Sequence, residues 1–175
     1  MSYPNAKPRS SWRKQSTTYR SSSSTNNTAR STQHIARKKL RGALKPLLSE
    51  AEKQNGNIQV LSYDFACRIT RLYQYLTEDS QYKEYIISKQ VFRSGTSIAA
   101  NTSEAQHAQS KQDFLAKRSI ASKESNESAF WLNLLHDNGY LEDIAFNSIY
   151  ADCIRVRNKI RAITKSTQDS LKSSK

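Results

Sequence analysis

Ile149-Tyr150-Ala151-Asp152-Cys153-Ile154-Arg155-Val156-Arg157-Asn158-Lys159-Ile160-Arg161-Ala162-Ile163 is the stretch that decides the fold. Ile149, Cys153, Val156, Ile160 and Ile163 recur at steps of four, three, four and three. That is the a/d spacing with which a helix buries one seam against its neighbours. Arg157, Arg161 and Lys165 stand four apart on a flanking face, with Arg155 and Lys159 offset from them, so the same helix carries a basic ridge.

Three further helical patterns precede it. Over residues 61–77, Phe65, Ile69, Leu72 and Leu76 form one apolar stripe, with Ser62 or Asp64 as start signals. Over residues 81–108, Ile87, Val91, Ser94, Ile98 and Ala105 share a face, and the side chains from Gly95 to Ala100 are small. Residues 111–137 are lined by Ala116, Ser119, Ala121, Ser122, Ser125, Ser128 and Ala129, then turn bulky at Phe130, Trp131, Leu132, Leu134 and Leu135. The two small-residue stretches predict close packing of these helices. Asn138-Gly139 ends the third helix through a position that tolerates the left-handed conformation, and the fourth begins near Leu141. No segment alternates with the period of a strand. The expected fold is all-α: an antiparallel up-down four-helix bundle over residues 58–169, followed by a short disordered tail, 170–175.

Residues 1–57 read as a basic, Ser/Arg-rich arm. Through Thr32 there is no apolar periodicity to repay the entropy of ordering, so disorder is expected. Trp12 and Tyr19 among Arg9, Arg13, Lys14 and Arg20 suit stacking on unpaired bases, and equally suit a solvated tail. Residues 33–53 predict a short amphipathic helix, with Ala36, Leu40, Ala43, Leu44, Leu47 and Ala51 on one side and Arg37, Lys38, Lys39, Arg41 and Lys45 on others. Pro46 should kink or break it, and Asn55-Gly56-Asn57 reads as a turn.

Charge is polarised. The chain carries +13 overall, with +10 in residues 1–57, −2 in residues 58–145 and +5 in residues 146–175. Positive charge gathered at two ends implies a polyanionic partner, nucleic acid first. The candidate phosphate-binding residues are Arg37, Lys38, Lys39 and Arg41 in the arm and Arg155, Arg157, Lys159, Arg161 and Lys165 on the last helix. The acid-free composition of residues 1–49 also fits an organellar transit peptide. No apolar run is long enough to span a bilayer, and no secretory h-region is present, so a cytoplasmic protein without membrane contact is expected.

Chemistry-bearing patterns are sparse. Cys67 and Cys153 are widely separated, form no CxxC, and read as small core side chains. Glu104 and His107 form one Glu-x-x-His, half of a di-iron carboxylate ligand set, but no second such motif exists. His34 and His136 have no spacing that marks a triad, and the four glycines form no phosphate loop. The chain therefore reads as a non-enzyme with neither metal nor cofactor. On the second helix Arg93, Ser97 and Glu104 share a face with Asn101 one turn beyond Ser97, and the third helix offers Glu124 and Glu127, so Arg93 is expected to pair with one of these carboxylates.

Several stretches carry a family resemblance: Ser62-Tyr63-Asp64-Phe65-Ala66, Arg93-Ser94-Gly95-Thr96-Ser97-Ile98-Ala99-Ala100-Asn101, Glu104-Ala105, Asp113-Phe114-Leu115-Ala116-Lys117, and Lys123-Glu124 through Glu127 to Trp131-Leu132-Asn133-Leu134-Leu135. They resemble the bacterial four-helix-bundle proteins encoded in intervening sequences of 23S ribosomal RNA genes. The wider family includes the accessory variability determinant of diversity-generating retroelements, a basic homopentamer that binds its reverse transcriptase and nucleic acid. What the resemblance implies is self-association as a pentamer, with a reverse transcriptase as a candidate partner. The chain departs from the pattern at Thr102, usually apolar, at Ser122 and Ser125, and in its long basic arm. The alternative is a protein-interaction scaffold whose charge only maintains solubility.

Overall fold

The computed structural model describes residues 23–80 and 83–173. Met1 to Ser22, the first part of the expected arm, lie outside them, and with them the aromatic-basic cluster around Trp12 and Tyr19. The described residues are all-helical: α1 (Ser23–Ala43), α2 (Glu50–Asn55), α3 (Ile58–Gln74), α4 (Ile86–Glu104), α5 (Lys111–Asp137) and α6 (Asp143–Ser173). A π-helical turn, Tyr75–Asp79, extends α3, and a 3₁₀ turn, Ala105–His107, extends α4. No helix of the described residues is long and apolar enough to cross a membrane.

The chain divides into two compact units, residues 1–33 and 34–175. Of the first, the described part is the start of α1, which corrects the expectation of irregular chain up to Thr32: helix begins at Ser23. In the second unit the amphipathic helix expected over 33–53 is two helices, because Pro46 has no N–H and the chain opens around it. Ser49 restarts the helix with a capping box. Its hydroxyl accepts from the Glu52 N–H (3.3 Å), and the Glu52 carboxylate accepts from the Ser49 N–H (2.8 Å). At the other end α6 continues through Ser173, further than the expected boundary.

Helices α3 to α6 pack in a cycle, α3 on α4, α4 on α5, α5 on α6 and α6 back on α3. Of the stripes read from the sequence, Phe65, Ile69, Leu72 and Leu76 from α3 and its extension, Val91 and Ile98 from α4, Leu132 and Leu135 from α5, and Ile149, Cys153, Val156 and Ile160 from α6 are buried, whereas Ala116, Ser119 and Phe130 of the α5 lining are exposed, which corrects that part of the reading. Burying one such side chain contributes roughly 1.5–3 kcal/mol. The small residues of α4 allow the expected close approach. A Cβ built on Gly95 would lie 2.8 Å from Ile69 Cγ1, so α3 occupies the space that any larger residue would need. Ser94 and Ser128 meet in the α4–α5 interface, Oγ to Oγ at 2.9 Å, which satisfies two buried hydroxyls. The start of α4 has no cap at Tyr85. Instead the buried Glu84 carboxylate accepts from the N–H groups of Ile86, Ile87 and Ser88 at 2.9, 2.8 and 2.6 Å. Gly139, at φ +80°, turns the chain out of α5.

Residues 34–57 lie along the seam between α3 and α6. Leu40 and Leu44 are buried in the core. Against α3 the run is antiparallel: Tyr75 Oη donates to Ala36 O (3.3 Å), Arg68 Nε to Leu44 O (2.8 Å), and Leu47 N to Asp64 Oδ1 (2.8 Å). Against α6 it is parallel, with Arg41 on Glu142, Lys53 on Asp152 and the Gly56 carbonyl on Lys159.

Candidate nucleic-acid interface

The nine cations predicted to meet phosphate fall into three groups. Those at the α6 seam are already engaged. Arg155 donates to Asp152 Oδ1 (2.8 Å) and to Glu50 Oε2 (2.9 Å), and Lys159 donates to the Gly56 carbonyl. In α1, Arg41 holds Glu142 bidentately at 2.6 and 3.1 Å, Arg37 Nε lies 3.8 Å from the same carboxylate, and Lys38 and Lys39 are exposed. That hydrogen bond to Glu142 raises the Arg41 guanidinium further above its ordinary range.

The third group is different. Arg157 Nη1 and Arg161 Nη2 both donate to one neutral acceptor, Asn126 Oδ1, at 3.5 and 3.2 Å, and Lys165 is exposed one turn further on. No carboxylate among the described residues lies within ion-pair distance of these three, although Asp169 follows one turn after Lys165. At 1.5 Å rise per residue they span about 12 Å of helix. An uncompensated row of cations is what a phosphate backbone neutralises without displacing an internal partner.

The polar set of α4 and α5 is brought together in part. Arg93 Nη2 reaches Glu127 Oε1 at 2.6 Å, and Trp131 Nε1 donates to the same oxygen at 3.2 Å. The Arg93 side chain is 60% exposed, so the pair is a surface contact. Asn101 turns back on its own helix to Ser97 O (2.9 Å) and Ser97 Oγ (3.2 Å). Glu104 pairs with Lys117, raising the lysine above its ordinary range, and His107 is exposed in the 3₁₀ turn. Glu124 stands apart from this set, with Oε2 buried and unpartnered. Among the described residues no group of three His, Cys, Asp or Glu is placed to hold a metal.

Sequence reading missed the most elaborate polar site. Lys53, Arg68 and Asp152 are 3%, 0% and 5% exposed, and the Asp152 carboxylate receives Lys53 Nζ (2.8 and 2.6 Å), Arg68 Nη1 and Arg155 Nη1. Arg68 also donates to the backbone of Leu44 and Ser148 and to Ser148 Oγ, so its fork is filled. The site clamps α2, α3 and α6 together. A signal existed: Arg68 falls in the buried series Leu61, Phe65, Leu72, and Asp152 in the series Ile149, Val156, which places opposite charges on facing stripes.

Buried polar atoms without a hydrogen-bond partner also occur on Arg118 and Thr102. Arg118, 1% exposed, occupies the core series Ala121, Ser125, Ser128 of α5, with Nε and Nη1 unbonded and its guanidinium 5.0 Å from the Phe114 ring. Burial pushes this guanidinium down from its ordinary range. The Thr102 hydroxyl is likewise buried and unbonded, at one of the positions where the chain departs from the family pattern.

A shallow apolar groove of about 360 Å³ lies between α3 and α4, lined by Gln59, Val60, Ser62, Tyr63, Ala99 and Ser103.

No curated protein matches the chain. Among solved structures, one from Bacteroides thetaiotaomicron VPI-5482, described as a protein with unknown function from the S23 ribosomal protein family, is 41% identical with a TM-score of 0.60. The match covers 62% of this chain and 99% of that one. With residues 54–162, most of the cyclic helical core, matched by the family itself, the chain belongs to the 23S rRNA-intervening sequence protein family.

Proposed function

We propose that this chain is a non-enzymatic, cytoplasmic, homo-oligomeric four-helix-bundle protein that binds RNA or DNA through phosphate contacts. The observation that carries the reading is the row Arg157, Arg161, Lys165, three cations on one helix face with no carboxylate partner among the described residues. The net charge of +13 supplies long-range attraction for a polyanion. Such binding is largely independent of sequence and falls steeply with salt. The pentamer, and the role of reverse-transcriptase accessory or of a protein tied to ribosomal RNA intervening sequences, are implied by the resemblance of the core.

Binding of single-stranded RNA and duplex DNA by the full chain at low and moderate salt, with subunit mass from light scattering, tests the proposal. Salt-sensitive binding by an oligomer is expected, and absence of binding at low salt overturns it. A scaffold for protein partners is the second reading. It is favoured by the exposed side chains of Tyr63 and Val60 beside the α3–α4 groove and of Phe130 on α5, and it predicts an oligomer that ignores nucleic acid.

A further inference from the structure

The cations engaged at the α6 seam share one feature: the groups that occupy them belong to, or are covered by, residues 34–57. Arg155 gives one hydrogen bond to Glu50, and Lys159 gives its own to the Gly56 carbonyl. From the opposite side, Arg37 and Arg41 of the covering segment are held by Glu142 of the α6 approach. Lys159 is therefore satisfied through the docked segment, Arg155 owes to it its second carboxylate while keeping Asp152 of its own helix, and Arg37 and Arg41 meet Glu142 through it. A phosphate backbone and the docked segment compete for the same donors.

The segment is also an addition to the shared fold. The family match begins at residue 54, and the B. thetaiotaomicron protein, 99% of which is matched, requires only 62% of this chain. Its own helices depend on docking. α2 has six residues, far below the length at which an isolated helix persists, and it is joined to α1 through the Pro46 break. Its apolar attachment rests mainly on Leu40 and Leu44, with Leu48 partly buried.

We propose that the α6 face beneath residues 34–57 is a second nucleic-acid-binding surface, latent while the segment covers it and opened when phosphates displace the segment from Arg155 and Lys159 and displace Glu142 from the segment's own Arg37 and Arg41. The inference rests on the nucleic-acid reading above. By linkage, a ligand that binds the uncovered state better shifts the chain toward it, and anything that loosens the segment strengthens ligand binding by the same factor.

Hydrogen exchange of the full chain, free and saturated with a single-stranded RNA oligonucleotide, reads the segment directly, and the affinity of Leu40→Ser/Leu44→Ser reads the coupling. Faster exchange over residues 36–55 in the complex, with α4 still protected, is expected. The double variant should bind more tightly at the wild-type slope of log K against log salt, because both chains make the same phosphate contacts once the segment is open. Adding Arg155→Gln and Lys159→Gln should remove that gain. If RNA binds while the exchange of 36–55 is unchanged or slower, the latent surface is refuted and the nucleic-acid reading stands. If neither wild type nor variant binds, both fall. Should the double variant lose its helical signal, the exchange measurement on the wild type decides alone.

Discussion

Replacing Asp152 by Asn removes the only carboxylate that Lys53 and Arg68 share in the α3–α6 seam. Three cations converge on that carboxylate, and two of them are 3% and 0% exposed. Arg68 keeps its bonds to the Leu44 and Ser148 carbonyls, while Lys53 is left with Glu50 Oε1 at 3.4 Å, an exposed partner. Breaking a buried pair by removing one partner typically costs about 3–5 kcal/mol, because the remaining charge stays desolvated. For a chain of this size each kcal/mol moves Tm by roughly 2–4 °C, so a loss on the order of 10 °C is expected. Thermal unfolding at pH 7, followed by circular dichroism, measures it. Lys53→Met in the same chain should recover part of the loss, since it removes the charge left stranded. A Tm for Asp152→Asn within about 2 °C of wild type, roughly 1 kcal/mol by the same conversion, would refute the view that this cluster is buried and mutually dependent.

Three further outcomes are expected. Gly95→Ala places a Cβ against Ile69 at 2.8 Å and should cost about 1–3 kcal/mol in denaturant unfolding, with Ile69→Ala relieving the clash in the double variant. Arg118→Met should raise stability by about 1–4 kcal/mol in the same assay, because it exchanges an unpartnered buried guanidinium for an apolar chain of similar length. Burial pushes the Cys153 thiol up to about 12, so at neutral pH a thiol reagent should label Cys67 in the folded protein and reach Cys153 only on unfolding.

The core was legible because its stripes are regular. Steps of three and four placed Ile69, Val91, Leu132 and Ile160 inside without any knowledge of the partners. The end of α5 at the Asn138-Gly139 turn could be read as well, since that chemistry is local. Part of what was missed is local, since Asn57 caps α3 ahead of Ser62 and Asp64 and Glu84 caps α4 from outside its apolar period, and part depends on distant sequence, since Lys53 finds Asp152 across 99 residues. The basic ridge illustrates the same division. Spacing put Arg155, Arg157, Lys159, Arg161 and Lys165 on one helix, but the docking of residues 34–57 gives Arg155 its contact with Glu50 and Lys159 its carbonyl, while Arg157, Arg161 and Lys165 meet no carboxylate among the described residues.

The central claim, that this uncompensated row contacts phosphate, is tested most directly by the salt dependence of single-stranded RNA binding for the full chain and for Arg157→Gln/Arg161→Gln/Lys165→Gln. Three lost contacts should flatten the slope of log K against log salt by about 2 and weaken binding at low salt, with the helical signal unchanged. A variant that folds and binds with the wild-type slope would contradict the claim.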